Sequence, residues 1–171
     1  MRKLVIMTIL TMGMTMLANA EYVTSENGLR LRAEPSLEAE VLRVVPFAEE
    51  VTGTIKNGWL ETADGFLKAE YLSETNPLDG YDYMGTWMMT AYTHTGNCCF
   101  DGSYPEAGYT VACNSLPIGT VVYISGIGTR TVCDRGPQSM PGEWMDLFVD
   151  SYQEAVIFGM QHHDVWVKET P

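Results

Sequence analysis

The sequence predicts a mainly β protein, built as two small barrels in series with one short helix. Three observations predict it. Short runs of β-branched and aromatic residues are broken every few positions by Gly, Pro, Asn and Asp, the pattern of strands joined by tight turns. No stretch sustains a helical period. One helix is well signalled, from Ser151 onward, by capping-box spacing.

Taken in order, residues 1–20 read as an export leader. Arg2 and Lys3 supply the positive start, Leu4 to Leu17 are mostly apolar, and Ala18-Asn19-Ala20 is a small-residue cleavage site. The apolar stretch is too short for a membrane anchor. The expected protein is therefore exported, begins at Glu21 and does not insert into membranes.

Residues 21–74 read as short strands, with Leu29, Leu31, Val41, Leu42 and Val44 as apolar positions between charges. Asn27-Gly28, Glu34-Pro35-Ser36 and Asn57-Gly58 mark turns. A turn-rich, weakly apolar stretch places a linker at 75–83. The second unit, 84–171, opens with a β-prone run from Met84 to Thr93. Val121 to Ile124 and Arg130 to Cys133 are two further strands around a hairpin at Ser125-Gly126-Ile127-Gly128. Ser151-Tyr152-Gln153-Glu154 has capping-box spacing, Ala155 to Phe158 follow, and Gly159 is a stop. His162-His163 reads as a solvated turn before a last strand, Asp164 to Lys168, that alternates apolar and polar residues.

The formal charge is −12. Residues 21–75 hold 11 acidic and 5 basic side chains, and residues 84–171 hold 9 and 3. The acidity is thus spread over both units rather than gathered in a tail. Such a surface repels nucleic acid and anionic membranes and favours solubility outside the cell.

Two aspartates carry the chemistry. Asp134 follows Thr131-Val132-Cys133 and precedes Arg135-Gly136-Pro137. Asp146 follows Gly142-Glu143-Trp144-Met145 and precedes Leu147-Phe148-Val149. Each sits where a strand meets a turn, and a short Gly- and Pro-containing loop joins them. Two close carboxyls in unlike surroundings are the equipment for acid/base work on sugars. Aspartates at such positions also serve simply to cap turns.

The cysteines Cys98, Cys99, Cys113 and Cys133 are even in number, as in a disulfide framework. A bond between the vicinal pair would be strained. The expectation is that Cys98 and Cys99 each pair with one of Cys113 and Cys133. A cysteine peptidase pair with His162 or His163, and a zinc site with His94, are the competing readings. The ligand spacing of common zinc folds is missing, so neither a metal nor a cofactor is expected.

The first unit resembles the bacterial SH3 domain. Tyr22-Val23-Thr24, Asn27-Gly28-Leu29-Arg30-Leu31-Arg32, Pro35-Ser36, Asn57-Gly58-Trp59-Leu60 and Tyr71-Leu72 carry the likeness. It implies an SH3-like barrel that binds cell-wall peptides through Tyr22, Trp59 and Tyr71, although Trp59 also suits the core of a tiny barrel. The second unit resembles the three-aspartate (3D) domain, and is similar to the double-psi β-barrel of membrane-bound lytic transglycosylase A and of rare lipoprotein A. This rests on Thr90-Ala91-Tyr92-Thr93-His94-Thr95-Gly96-Asn97, Thr110-Val111-Ala112-Cys113-Asn114 and Leu116-Pro117-Ile118-Gly119-Thr120. It continues through Asp134-Arg135-Gly136-Pro137, Asp146-Leu147-Phe148-Val149-Asp150-Ser151 and Phe158-Gly159.

That resemblance implies a six-stranded barrel acting on peptidoglycan glycan strands and stem peptides, as a secreted, wall-associated lytic transglycosylase. It makes Asp146 the acid/base and Asp134 its tuning partner. Asn114 stands where the family has its remaining aspartate, so a non-catalytic wall-binding or wall-loosening protein is the alternative. Glu106 is a remote substitute for that carboxyl. Asn114 is expected to bind sugar or hold Asp146. Tyr92 and Trp144 are expected sugar-stacking surfaces, as is Trp87, although aromatics in a small barrel also serve as core.

Overall fold

A computed structural model of the chain describes residues 19–169. The expected leader lies outside the described residues except for its last two positions. Asn19 and Ala20 pair with Gly53 and Thr52, at the start of the first strand.

The first unit contains β1 (Asn19–Val23), β2 (Leu29–Arg32), β3 (Val41–Val45), β4 (Glu50–Lys56), β5 (Trp59–Glu61), β6 (Phe66–Lys68) and, after a 3₁₀ turn at Ala69–Tyr71, β7 (Leu72–Ser73). They form one sheet in the order β3-β2-β6-β5-β4-β1-β7. Val23, Leu29, Leu31, Val45, Val51, Leu60 and Leu67 meet in a single buried cluster. These residues come from six strands, so the sheet must curl around them.

Two of the five expected apolar positions are buried. Leu29 and Leu31 are buried, but Val41, Leu42 and Val44 are 42%, 48% and 52% exposed. Strand β3 lies at the sheet edge, with a register irregularity between Leu31 and Arg32 in its pairing with β2, and only Val45 of that strand is buried. Between β4 and β5, Asn57 and Gly58 both take positive φ, 52° and 79°. A hairpin turn of this hand accepts Asn-Gly readily because Gly lacks the Cβ that resists it.

The second unit holds β8 (Tyr81–Tyr92), β9 (Thr110–Cys113), β10 (Val121–Ile124), β11 (Gly128–Asp134), β12 (Trp144–Phe148), α1 (Tyr152–Phe158) and β13 (Gln161–Lys168). Its six strands close into a barrel in the order β10-β11-β9-β12-β8-β13. Strand β8 begins inside the stretch expected to be linker. The chain between β7 and β8 turns through hydrogen bonds from Asp79 N to Asn76 O and from Tyr81 N to Leu78 O.

The interior is filled by Trp87, Met89, Val111, Cys113, Val122, Ile124, Val132, Met145, Leu147 and Val165. Removing that apolar surface from water is the main force closing the ring. The helix forms as its ends predict. Ser151 Oγ accepts from Glu154 N at 3.2 Å, and the Gly159 N–H donates to Ala155 O at 3.1 Å.

The histidines depart from expectation. His162 and His163 lie within β13, paired with Met88 and Trp87 of β8, and form no turn. His163 Nδ1 lies 2.7 Å from Ser125 O, and its Nε2 lies 2.9 Å from Gln161 Oε1. These partners satisfy the imidazole, so the strand can carry it half-buried.

Candidate functional site

Strand register assembles the site. Asp146 on β12 lies opposite Thr90 on β8 and opposite Ala112 on β9. Ala112 in turn lies opposite Asp134 on β11. Thr90, Asp146, Ala112 and Asp134 therefore form a row across four adjacent strands. Their chain neighbours Met89, Met145, Leu147, Val111 and Cys113 belong to the interior. Successive strand residues point to opposite faces, so the row faces outward. Strand rows are about 4.8 Å apart. The two aspartate backbones are thus roughly 10 Å apart, with a methyl side chain between them.

Asp134 reaches this face through a bulge. The β11–β9 register runs Val132 to Val111 and then Asp134 to Ala112, with Cys133 as the extra residue. Regular pairing would set Cys133 opposite Ala112 and turn Asp134 inward. A bulge shifts strand parity by one, and here it re-aims a carboxyl.

Each carboxyl has its own hydrogen-bond partners. Thr90 Oγ1 donates to Asp146 Oδ1 at 2.7 Å, and Trp144 Nε1 donates to Thr90 Oγ1 at 2.8 Å. An indole N–H can only donate. The threonine oxygen therefore accepts from it, and its one proton goes to Asp146. Asp134 Oδ2 accepts from the Tyr92 hydroxyl at 3.1 Å. Asp134 Oδ1 accepts from Phe100 N at 3.0 Å and Arg135 N at 2.8 Å.

Burial pushes the Asp146 pKa up, the Thr90 hydrogen bond pulls it back, and the charge of Asp134 adds a smaller push upward. Burial chiefly, then Asp134, raises the Tyr92 phenol far above its ordinary value, so it stays a donor. One carboxyl is thus desolvated and inclined to hold its proton, while the other sits among three donors.

The remaining predicted site residues divide. Trp144 and Tyr92 join the row, but their polar atoms are committed to Thr90 and Asp134. Trp87 is 4% exposed and donates to Met84 O at 3.0 Å, which makes it core. Asn114 binds the loop between the aspartates rather than Asp146. Its Nδ2 donates to Pro137 O at 2.9 Å, and its Oδ1 accepts from Gly136 N at 3.1 Å. An amide satisfies both loop atoms. A carboxylate would set its second oxygen against the Pro137 carbonyl. Ser115 Oγ donates to Gly142 O, so residues 114 and 115 tie down both ends of that loop. Arg135 reaches under it to the carbonyls of Cys113 and Leu116. Glu106 is exposed in the turn before β9.

In the first unit, Trp59, Tyr71 and Tyr22 do not converge. Trp59 is 8% exposed, with the Lys68 ammonium 5.3 Å from its ring centroid, and it lines a small hollow with Pro35 and Phe66. Tyr71 is 45% exposed and lines a separate groove of about 430 Å³ with Leu37 and Lys68. Tyr22 donates to Glu50 Oε2 at 3.3 Å.

All four cysteines are free thiols, and the expected pairings are not formed. Cys113 points into the barrel, 3.4 Å from Ser115 Oγ, while Cys98 is exposed. Cys99 and Cys133 are both buried. Burial pushes both thiols up, Cys133 to about 11. Among the described residues no group of three or more His, Cys, Asp or Glu is placed to hold a metal ion, and no helix is long and apolar enough to cross a membrane.

Thr90 is the site residue that sequence reasoning left without a role. Its signal was the Thr-Ala-Tyr alternation, which puts Thr90 and Tyr92 on one face of a strand. The chain matches no family model, and no curated protein matches it.

Proposed function

We propose that this protein is a secreted, wall-associated enzyme that cleaves peptidoglycan glycan strands as a lytic transglycosylase, with Asp146 as its acid and base. The observation that carries the reading is the outward row in which a half-buried Asp146, inclined to stay protonated, lies across one alanine from an Asp134 held by three donors. A free aspartic acid has a pKa of about 3.9. A catalytic acid at neutral pH needs a higher one, and burial supplies that direction.

Asp146 gives its proton to the glycosidic oxygen between N-acetylmuramic acid and N-acetylglucosamine as the bond from the anomeric carbon breaks. The muramic 6-hydroxyl attacks that carbon, and its proton passes to the Asp146 carboxylate. The acid is regenerated, no water is consumed, and the product is a 1,6-anhydro sugar. Because the substrate supplies the nucleophile, one carboxyl can suffice where ordinary glycosidases use two. Asp134 anchors Tyr92 and Arg135 and adds the nearby negative charge.

Incubating the protein with purified peptidoglycan and reading the soluble products by mass spectrometry tests this. 1,6-Anhydromuramyl fragments are expected, and they should vanish with Asp146→Asn. Wild-type protein that sediments with walls but releases none would favour the non-catalytic wall-binding reading, for which the commitment of Asn114 to the loop is the supporting observation.

A further inference from the structure

The two units meet at a groove that the catalytic reading does not use. Glu26 bridges them, accepting from Thr129 N at 3.1 Å and from Thr129 Oγ1. Phe47 of the first unit packs on Tyr123 of the barrel with ring centroids 4.5 Å apart. Tyr123 continues to Trp166 at 5.6 Å, and Trp166 to Tyr83 at 5.1 Å. Beside this aromatic row lies a groove of about 660 Å³, with Phe47, Tyr81, Tyr123 and Trp166 in its wall. Three carboxylates, Glu26, Glu49 and Asp164, line it, and among the described residues no lysine or arginine does.

We propose that this interdomain groove binds an ammonium group on an aliphatic stem, as presented by the diamino acid residue of a short peptide. Aromatic faces attract a cation and cover its alkyl stem, and the carboxylates supply the opposite charge. Asp164 is set for this. The hydroxyls of Tyr83 and Thr86 both donate to its Oδ1, at 2.9 and 2.6 Å, which orients the group, while Oδ2 has no hydrogen-bond partner among the described residues. Glu49 is shared with Arg43 at 3.4 Å in an exposed pair, which a ligand amine can displace at little cost. Lys168, which does not line the groove, places its ammonium 5.9 Å from the Tyr81 ring centroid, so that ring already takes a cation. The same charges repel muramic and peptide carboxylates, so the groove takes an amine-bearing part of the wall rather than its glycan.

Naming a stem peptide as the source rests on the wall-enzyme reading; the preference for an amine does not. The test is calorimetric titration with the C-terminal amide of Nα-acetyl-lysyl-D-alanyl-D-alanine, which carries no carboxylate, its Nε-acetylated form, and cadaverine. Submillimolar binding of the first is expected, with at least tenfold loss on Nε-acetylation. Asp164→Asn combined with Glu49→Gln should weaken it about tenfold, and Glu49→Gln alone, at a surface position, about two- to fivefold. Equal binding of the acetylated peptide, or unchanged binding by folded variants, overturns the proposal. Cadaverine binding as tightly as the peptide overturns the peptide assignment. Peptide binding by a protein that neither cleaves nor sediments with walls would sink the wall reading and leave the groove's amine preference standing. Wall cleavage without peptide binding would do the reverse.

Discussion

Replacing Thr90 with Val removes one proton and one acceptor while keeping the side chain's shape. The wild-type hydroxyl, polarised by Trp144 Nε1, donates to Asp146 at 2.7 Å. A hydrogen bond to a charged group contributes about 1.5–3 kcal/mol, against about 1 kcal/mol for a neutral pair. The hydroxyl thus favours the ionised carboxylate by about 1–2 kcal/mol, or about one pKa unit. Thr90→Val should move the Asp146 pKa upward by that amount, because the hydroxyl is the one influence pulling it down. Trp144 loses its acceptor too, but it is only half-buried, so water can replace the bond and the stability loss should stay near 1 kcal/mol. Titration of the carboxyl carbon by NMR, with Asp146→Asn used to assign the signal, reads the shift without requiring activity. If product release is measured as well, its alkaline limb should rise by the same interval. An Asp146 pKa that stays put or falls in Thr90→Val would refute the relay.

Asp146→Asn should raise the melting temperature at pH 7 but not at pH 3. The folded pKa is raised, so the folded state binds the proton more tightly than the unfolded chain. Stability is fully present below the unfolded value of about 3.9 and declines as pH rises through the folded pKa; the neutral amide avoids that loss. Equal effects at both pH values would contradict the desolvation argument. Asn114→Asp should destabilise the protein by about 1–2 kcal/mol in urea unfolding, since a carboxylate oxygen would meet the Pro137 carbonyl, and should not increase glycan cleavage. Unfolding without reductant should expose four titratable thiols, whereas in the native protein only Cys98 should react quickly with a thiol reagent. Glu26→Ala should lower stability by about 1–2 kcal/mol through loss of both Thr129 bonds, read by denaturant melts. No change would mean that the two units are not held together there.

The sequence alone determined the features that depend on neighbours along the chain. Ser151 to Gly159 fold as their capping residues predict, Val121 to Ile124 pair through the expected hairpin, and Asn57-Gly58 turns with the required positive φ. That Thr90 and Tyr92 share one strand face follows from local alternation, but that this face is the outward one does not. Asp134 and Asp146 stood out in the sequence as candidates, but their spatial relation did not. Whether Asp134 shares a face with Asp146 depends on one extra residue, Cys133, in a pairing with a distant strand, and no local signal fixes a bulge. The same limit explains the histidines, which lie in a strand because that segment pairs with β8, while Ser125 also meets His163. It also explains Val41, Leu42 and Val44, which look like core until the edge position of their strand is known. The cysteines followed composition in the sequence and geometry in the fold, where one faces the barrel interior and another faces solvent. Only tertiary structure decided that Asn114 serves the loop, that Thr90 serves Asp146, and that aromatic rings from both units share a groove with three carboxylates, because each arises from contacts between segments far apart in the chain.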